Sequence, residues 1–261
     1  MKKLFTVLLT VGLAVIAWTP DTRAQSFNKP GTTNPVEFYT CNWVEGKGMP
    51  DLLKVTAKFR EWARKYNSDY AAWILTPNYH SPETGFDVVW LGSWPDYRKF
   101  ASSQANWWKN GRELAARFNE VVDCGEQHQL VTSILIDAPE GPPASGVALL
   151  SRCSLAAGKT VQDALNAHVK AGAIMRKLGS KQRSWMYTPG LGAGTMGFDY
   201  WRLIAFSNYL ELGDMLQIYT AGGGKQQTDP FYEGVVTCDS PGVFDAQWAK
   251  KGPWYKGPDE D

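Results

Sequence analysis

The chain has 261 residues, with 27 Lys and Arg against 26 Asp and Glu and a formal net charge of +1. That balance argues against nucleic acid as a partner, because neutralising phosphates requires a basic surplus or stripe. The 12 Trp, 11 Tyr and 11 Phe point either to a core packed with rings or to a ring-lined ligand cavity.

In chain order, MKKLFTVLLTVGLAVIAW sets two lysines before an apolar run from Leu4 to Trp18. The run is short for a bilayer span, and Thr22-Arg23-Ala24 supplies the small residues of a signal-peptidase site. Residues 1–24 are therefore expected to be a secretory signal peptide; the competing reading is an uncleaved anchor. No later segment is long and apolar enough to cross a membrane. The expected location is periplasmic or secreted, with no stable membrane insertion after cleavage.

VEFYTCNW reads as a strand. Leu52, Val55, Phe59, Trp62, Ala63 and Tyr66 then recur at helical spacing, with Pro50 and Asp51 suited to a first turn. DYAAWILT and FDVVWLGSW read as two further strands. Pro95-Asp96 opens a helical stretch toward Trp107 and Trp108, with more helix in GRELAARFNEVV and a last strand after Cys124. Residues 137–146, DAPEGPPASG, read as a linker.

The pattern then repeats. Cys41–Tyr97 aligns without a gap on Cys153–Tyr209, with Cys41/Cys153, Gly46/Gly158, Trp73/Trp185, Pro77/Pro189, Asp87/Asp199 and Tyr97/Tyr209 among the identical pairs. A period this long means tandem units and not a solenoid. Each unit runs β-α-β-β-α-β, the ferredoxin-like order, and the second has a capping-box start at Thr160-Val-Gln-Asp163. The fold class is thus α+β, with units at 35–136 and 147–245 and a loosely packed tail at 246–261.

GLGAGTMG spells G-x-G-x-x-G at Gly192, Gly194 and Gly197. The motif grips pyrophosphate only where a strand feeds a helix, and FDYWRLIAF behind it reads as a strand. It is expected to be a hairpin loop. GGGKQQT at 222–228 lacks the P-loop spacing and reads as a flexible break, so no nucleotide site is expected.

This duplicated β-α-β-β-α-β plan resembles the tandem form of the dimeric α/β-barrel superfamily, which includes antibiotic-biosynthesis monooxygenase-like proteins. The resemblance spans about residues 35–245. It implies an intramolecular pseudo-dimeric barrel, and a range of activities: cofactor-free oxygenases, haem proteins, isomerases, cyclases and members without activity. In the ferredoxin-like order the first and last strands are antiparallel neighbours, which brings Cys41 to Cys124 and Cys153 to Cys238. Those pairings are expected; the alternatives are the two other pairings or free buried thiols. No C-x-x-C or Cys/His cluster suggests a metal.

Differences between the copies mark candidate chemistry. Thr56 becomes His168, Leu75 becomes Tyr187, Ala71 becomes Arg183 and Trp90 becomes Arg202. His168 falls on the sheet-facing side of its helix, as a cavity base, a haem ligand or a hydrogen-bonded core histidine. Tyr187 would donate a proton, and Arg202 with Trp185 and Trp201 would line a ligand site; alternation forbids all of them from sharing one pocket. Asp87 and Asp199, placed alike in both copies, suit backbone bonding more than catalysis. His80 and His128 are expected to be solvated.

The leading expectation is an exported protein that binds, and in its fuller form transforms, a small apolar or aromatic molecule between helices and sheet of the second unit, with no cofactor. The rivals are a structural or interaction protein of the envelope, its interior filled by its own rings, and a haem protein using His168.

Overall fold

The computed structural model describes residues 29–81 and 84–253. The expected signal peptide lies outside the described residues, as do residues 254–261 of the expected tail.

The first unit runs β1 (Thr33–Trp43), α1 (Met49–Lys65), β2 (Ala71–Tyr79), β3 (Val88–Ser93), α2 (Tyr97–Asn110), α3 (Arg112–Asn119) and β4 (Val122–Asp137). The second runs β5 (Gly146–Leu155), α4 (Val161–Lys177), β6 (Arg183–Leu191), β7 (Tyr200–Phe206), α5 (Tyr209–Thr220), α6 (Gly224–Tyr232), β8 (Val236–Cys238) and β9 (Gly242–Lys250). Local chemistry sets the helix ends. Asp96 accepts from Lys99 N at 2.8 Å to start α2, and Thr160 with Asp163 forms a capping box at α4. Gly111 separates α2 from α3, where a Cβ would collide with the Trp107 ring.

The strands form one sheet in the order β7-β6-β4-β1-β3-β2-β9-β5-β8, closed by β5 pairing back onto β7. Closure removes the exposed edges that an open sheet would present. Two strands stitch the halves together: β4 pairs with β1 of its own unit and β6 of the other, and β9 pairs with β5 of its own unit and β2 of the other. The molecule is therefore two ferredoxin-like units joined as one α/β barrel. Inside lies an apolar core including Val36, Trp73, Leu91, Val131, Leu135, Trp185, Tyr187, Leu203 and Phe244. The helices cover the outer face.

Three sequence expectations change. Residues 246–250 are not tail but the end of β9, with Trp248 opposite Trp73 across the ladder at a ring separation of 4.7 Å. The break in GGGKQQT is confined to its start, because α6 begins at Gly224 and contains the remaining residues. The second unit's fourth strand is split, β8 and β9 lying in turn along the same edge of β5, whereas β4 is continuous. The G-x-G-x-x-G segment joins β6 to β7 as expected, with no helix behind it.

Both expected disulfides are present, Cys41–Cys124 and Cys153–Cys238. Cys153 and Cys238 are direct partners in the β5–β8 ladder. Two disulfides fit an oxidising, extracytoplasmic setting. Among the described residues, no helix is long and apolar enough to cross a membrane. Asp87 and Asp199 play matching parts at the ends of their hairpins: Asp87 accepts from Trp43 N at 2.8 Å and Asp199 from Leu155 N at 2.7 Å.

Candidate functional site

The residues singled out in the second unit divide between the two sides of its sheet. Alternation turns Trp185, Tyr187 and Trp201 into the barrel, where Phe38 lies 5.3 Å from Tyr187 and 5.9 Å from Trp201, centre to centre. It turns Arg202 outward, 5.7 Å from the Tyr232 ring. His168 is also on the helix side, fully buried. Its Nε2 lies 2.7 Å from the Tyr200 hydroxyl and its Nδ1 3.3 Å from the Tyr232 hydroxyl. Burial, with Arg202 adding a like charge, holds the imidazole well below its usual pKa and therefore neutral. His168 and Tyr187 face opposite sides of the sheet and do not meet. Arg183 bonds Glu140 at 2.8 Å and Ser207 at 3.1 Å. His80 and His128 are both exposed, and His128 also stacks on Tyr39 with ring centres 3.9 Å apart.

A cavity of about 240 Å³ lies instead between the helices and sheet of the first unit. Its wall combines Phe59 and Trp62 from α1, Trp107 from α2 and Phe118 from α3 with Trp90 and Trp94 from β3 and the residue after it. The rings meet mostly edge to face, as in Trp62–Trp107 at 5.0 Å and Trp90–Phe118 at 5.3 Å, the arrangement favoured by ring quadrupoles. The Cys41–Cys124 disulfide forms part of the wall. None of the residues of α2 is fully buried, so that side of the cavity is covered by a thinly packed helix.

One end of the cavity carries a carboxyl. Glu37 on β1 is 6% exposed. Its Oε1 accepts from the Tyr70 hydroxyl at 2.5 Å and its Oε2 from the Tyr39 hydroxyl at 3.2 Å. Trp90 Nε1 in turn donates to Tyr70 Oη at 2.6 Å, which orients the tyrosine proton toward the carboxyl. Burial dominates the electrostatics and raises the Glu37 pKa from 4.5 to about 7, while the two tyrosine hydrogen bonds oppose it. Burial and the neighbouring Glu37 push both tyrosines upward, so they stay protonated and remain donors. Gly92 gives Tyr70 its place, because a Cβ there would overlap the hydroxyl. The result is a carboxyl that exchanges a proton near neutral pH inside an aromatic chamber.

The sequence reading missed Glu37, Tyr39, Tyr70 and Trp90. Differences between the copies describe the first unit as much as the second. Glu37 aligns with Leu149, Tyr70 with Gln182 and Gly92 with Ile204. A usable signal was present in VEFYTC: alternation puts Glu37, Tyr39 and Cys41 on one strand face, and the disulfide cysteine marks that face as covered.

No family model matches the chain, and a comparison with curated protein sequences gives no match. Solved structures do match. A provisionally assigned monooxygenase from Lactobacillus acidophilus NCFM aligns over 84% of this chain and 95% of its own, at 12% identity and a TM-score of 0.51. A heme-binding protein from Thermus thermophilus aligns over 84% and 94%, at 9% identity and a TM-score of 0.46. A dye-decolorizing peroxidase from Bacteroides thetaiotaomicron aligns over 86% and 97%, at 10% identity and a TM-score of 0.47. The chain is similar to these proteins in fold: it has the dimeric α/β-barrel architecture.

These comparisons correct the expectation of no cofactor, since the matched structures include a heme-binding protein. Haem needs an axial donor and a slot beside it. His168 offers a neutral imidazole, but both ring nitrogens lie within hydrogen-bonding distance of tyrosine hydroxyls and the residue is fully buried. Among the described residues, the first-unit cavity is lined by no histidine or methionine, its cysteines are oxidised, and Tyr39 and Tyr70 both face Glu37. Neither place fits a haem as arranged.

Proposed function

We propose that this is an exported small-molecule-binding protein whose ligand, a compact apolar or aromatic molecule, occupies the first-unit cavity, with Glu37 as the group that gives or takes a proton. The observation that carries the reading is the cavity with the Glu37–Tyr70–Trp90 chain at its end. A volume of about 240 Å³ lies above the ~150 Å³ that accepts benzene and below the ~300 Å³ of the smallest drug-sized pockets, which suits one or two rings. The leader pattern in the sequence and the two disulfides support work outside the cytoplasm. A purely structural role in which the protein's own rings fill the interior describes the second unit, where Tyr200, His168 and Tyr232 occupy the matching layer, and not the first.

The test is a thermal-shift titration of the oxidised protein with toluene, indole and naphthalene, beside Ala115→Phe. Ala115 lines the cavity from α3, so the added ring fills it. The wild type is expected to gain thermal stability with at least one probe, and the filled variant to respond to none. Equal responses would refute the site. Hemin is titrated in parallel: a Soret shift abolished by His168→Ala would replace this reading with a haem-binding one.

A further inference from the structure

The lining of the first-unit cavity is one-sided in charge. Among the described residues, Glu37 is its only acidic group, and Lys, Arg and His are missing from it. The ammonium of Lys250, on β9 behind this wall, donates to the carbonyls of Ser68, Tyr70 and Lys251 and not to Glu37. A carboxylate taken from water needs a partner charge as well as hydrogen bonds, and two tyrosine hydroxyls supply only the bonds. An anionic ligand would add a second negative charge to the same end. A neutral ligand would leave the carboxyl as it is. A cation completes the charge balance, and the remaining wall, with Trp62, Trp90, Trp94 and Trp107, is of the ring type that attracts cations and sheds water.

Resting on the reading of this cavity as a ligand site, we infer that its ligand is an organic cation, a small amine or quaternary ammonium with an apolar or aromatic body, its positive charge set against Glu37. Binding then requires the carboxyl to release its proton. A quaternary ammonium has no proton of its own, so the pH dependence of its binding reports groups of the protein. Those facing Glu37 are few. Tyr39 on β1 and Tyr70 ahead of β2 are held protonated, while the lining residues of α1, α2, α3 and β3 bring no other titratable side chain. His128, stacked on Tyr39 from β4, and Lys250 titrate at a remove, and a Glu37→Gln control carries both unchanged.

The experiment titrates the oxidised full chain with benzyltrimethylammonium and with its neutral isostere neopentylbenzene, following tryptophan fluorescence from pH 5 to pH 8. The ammonium is expected to bind at least about tenfold tighter than the isostere at pH 8. Its affinity should fall about a hundredfold by pH 5, close to tenfold per unit below the carboxyl's titration near 7. Glu37→Gln should lose the preference and the pH dependence while still binding the isostere. An isostere that binds wild type as tightly as the ammonium, or ammonium binding unchanged in Glu37→Gln, overturns the cation assignment and leaves the cavity as a site. Failure of both probes on wild type overturns the assignment together with the cavity reading.

Discussion

Glu37→Gln offers the sharpest test of the site, because its effect on stability depends on pH in a way packing cannot imitate. The Glu37 carboxyl is raised from 4.5 to about 7 by burial. Below pH ~4.5 it is protonated in folded and unfolded chains alike, so it costs nothing. Between pH 4.5 and 7 the unfolded chain releases its proton while the folded chain keeps it, and stability falls as pH rises. Above 7 the penalty is constant, and a shift of this size corresponds to about 3 kcal/mol. Glutamine carries no such penalty. Whatever fixed cost it has against the two tyrosine donors, its stability relative to wild type should rise by about 3 kcal/mol between about pH 4 and pH 8. The histidines are common to both proteins and cancel in the difference. Urea denaturation at unit pH steps, followed by tryptophan fluorescence, measures it. Curves that stay parallel across the range would show a carboxyl titrating as though in water, and the chamber described here would be wrong.

Three further outcomes follow from the same structure. Replacing Cys41 and Cys124 by serine removes a cross-link spanning 83 residues, with an expected loss of about 4–5 kcal/mol in the chain-entropy model; urea midpoints read it, and a loss under about 1 kcal/mol would contradict it. Gly92→Ala should displace Tyr70 from Glu37, at about 1–3 kcal/mol, and an absorbance titration should then show a tyrosine ionising nearer its ordinary range. His168→Phe leaves the Tyr200 hydroxyl without its 2.7 Å partner, costing about 1–3 kcal/mol, and differential scanning calorimetry should find a lowered Tm; an unchanged Tm would mean the bond is not formed.

The fold was legible because its determinants are local and duplicated. Helical spacing, paired cysteines and paired glycines each speak for a few residues, and finding them twice fixes the order of elements. The cysteine pairings followed from strand adjacency within one unit. The crossing strand β9 was not legible, since its partner β2 lies far back in the chain and nothing in GVFDAQWAK names it. The cavity was hidden for a related reason. Whether a helix–sheet layer is filled or hollow depends on the sum of volumes across several elements. Val88 against Tyr200, Thr56 against His168 and Gly92 against Ile204 each change that sum by one side chain.

Among the described residues, the barrel explains how a chamber of this size can lie in one half while the matching layer of the other is packed around His168. Its interior is shared, with Phe38 of the first unit packed on Tyr187 and Trp201 of the second, so a change inside it disturbs both halves and is opposed by close packing. The helix–sheet layers draw their rings from one unit each, although each also packs on the crossing strand of the other, through Ala249 in the first and Ile136 in the second. One layer is therefore free to hollow out while its counterpart stays packed around His168, and the disulfides hold both frames alike. Transplanting second-unit residues tests this directly. Val88→Tyr with Gly92→Ile should fill the first-unit chamber from β3, abolish probe binding and leave the barrel intact. Amide hydrogen exchange of the barrel strands reads the last point: loss of protection together with binding would mean the layers and the barrel are not separable, and that the hollow is part of what keeps the core in register.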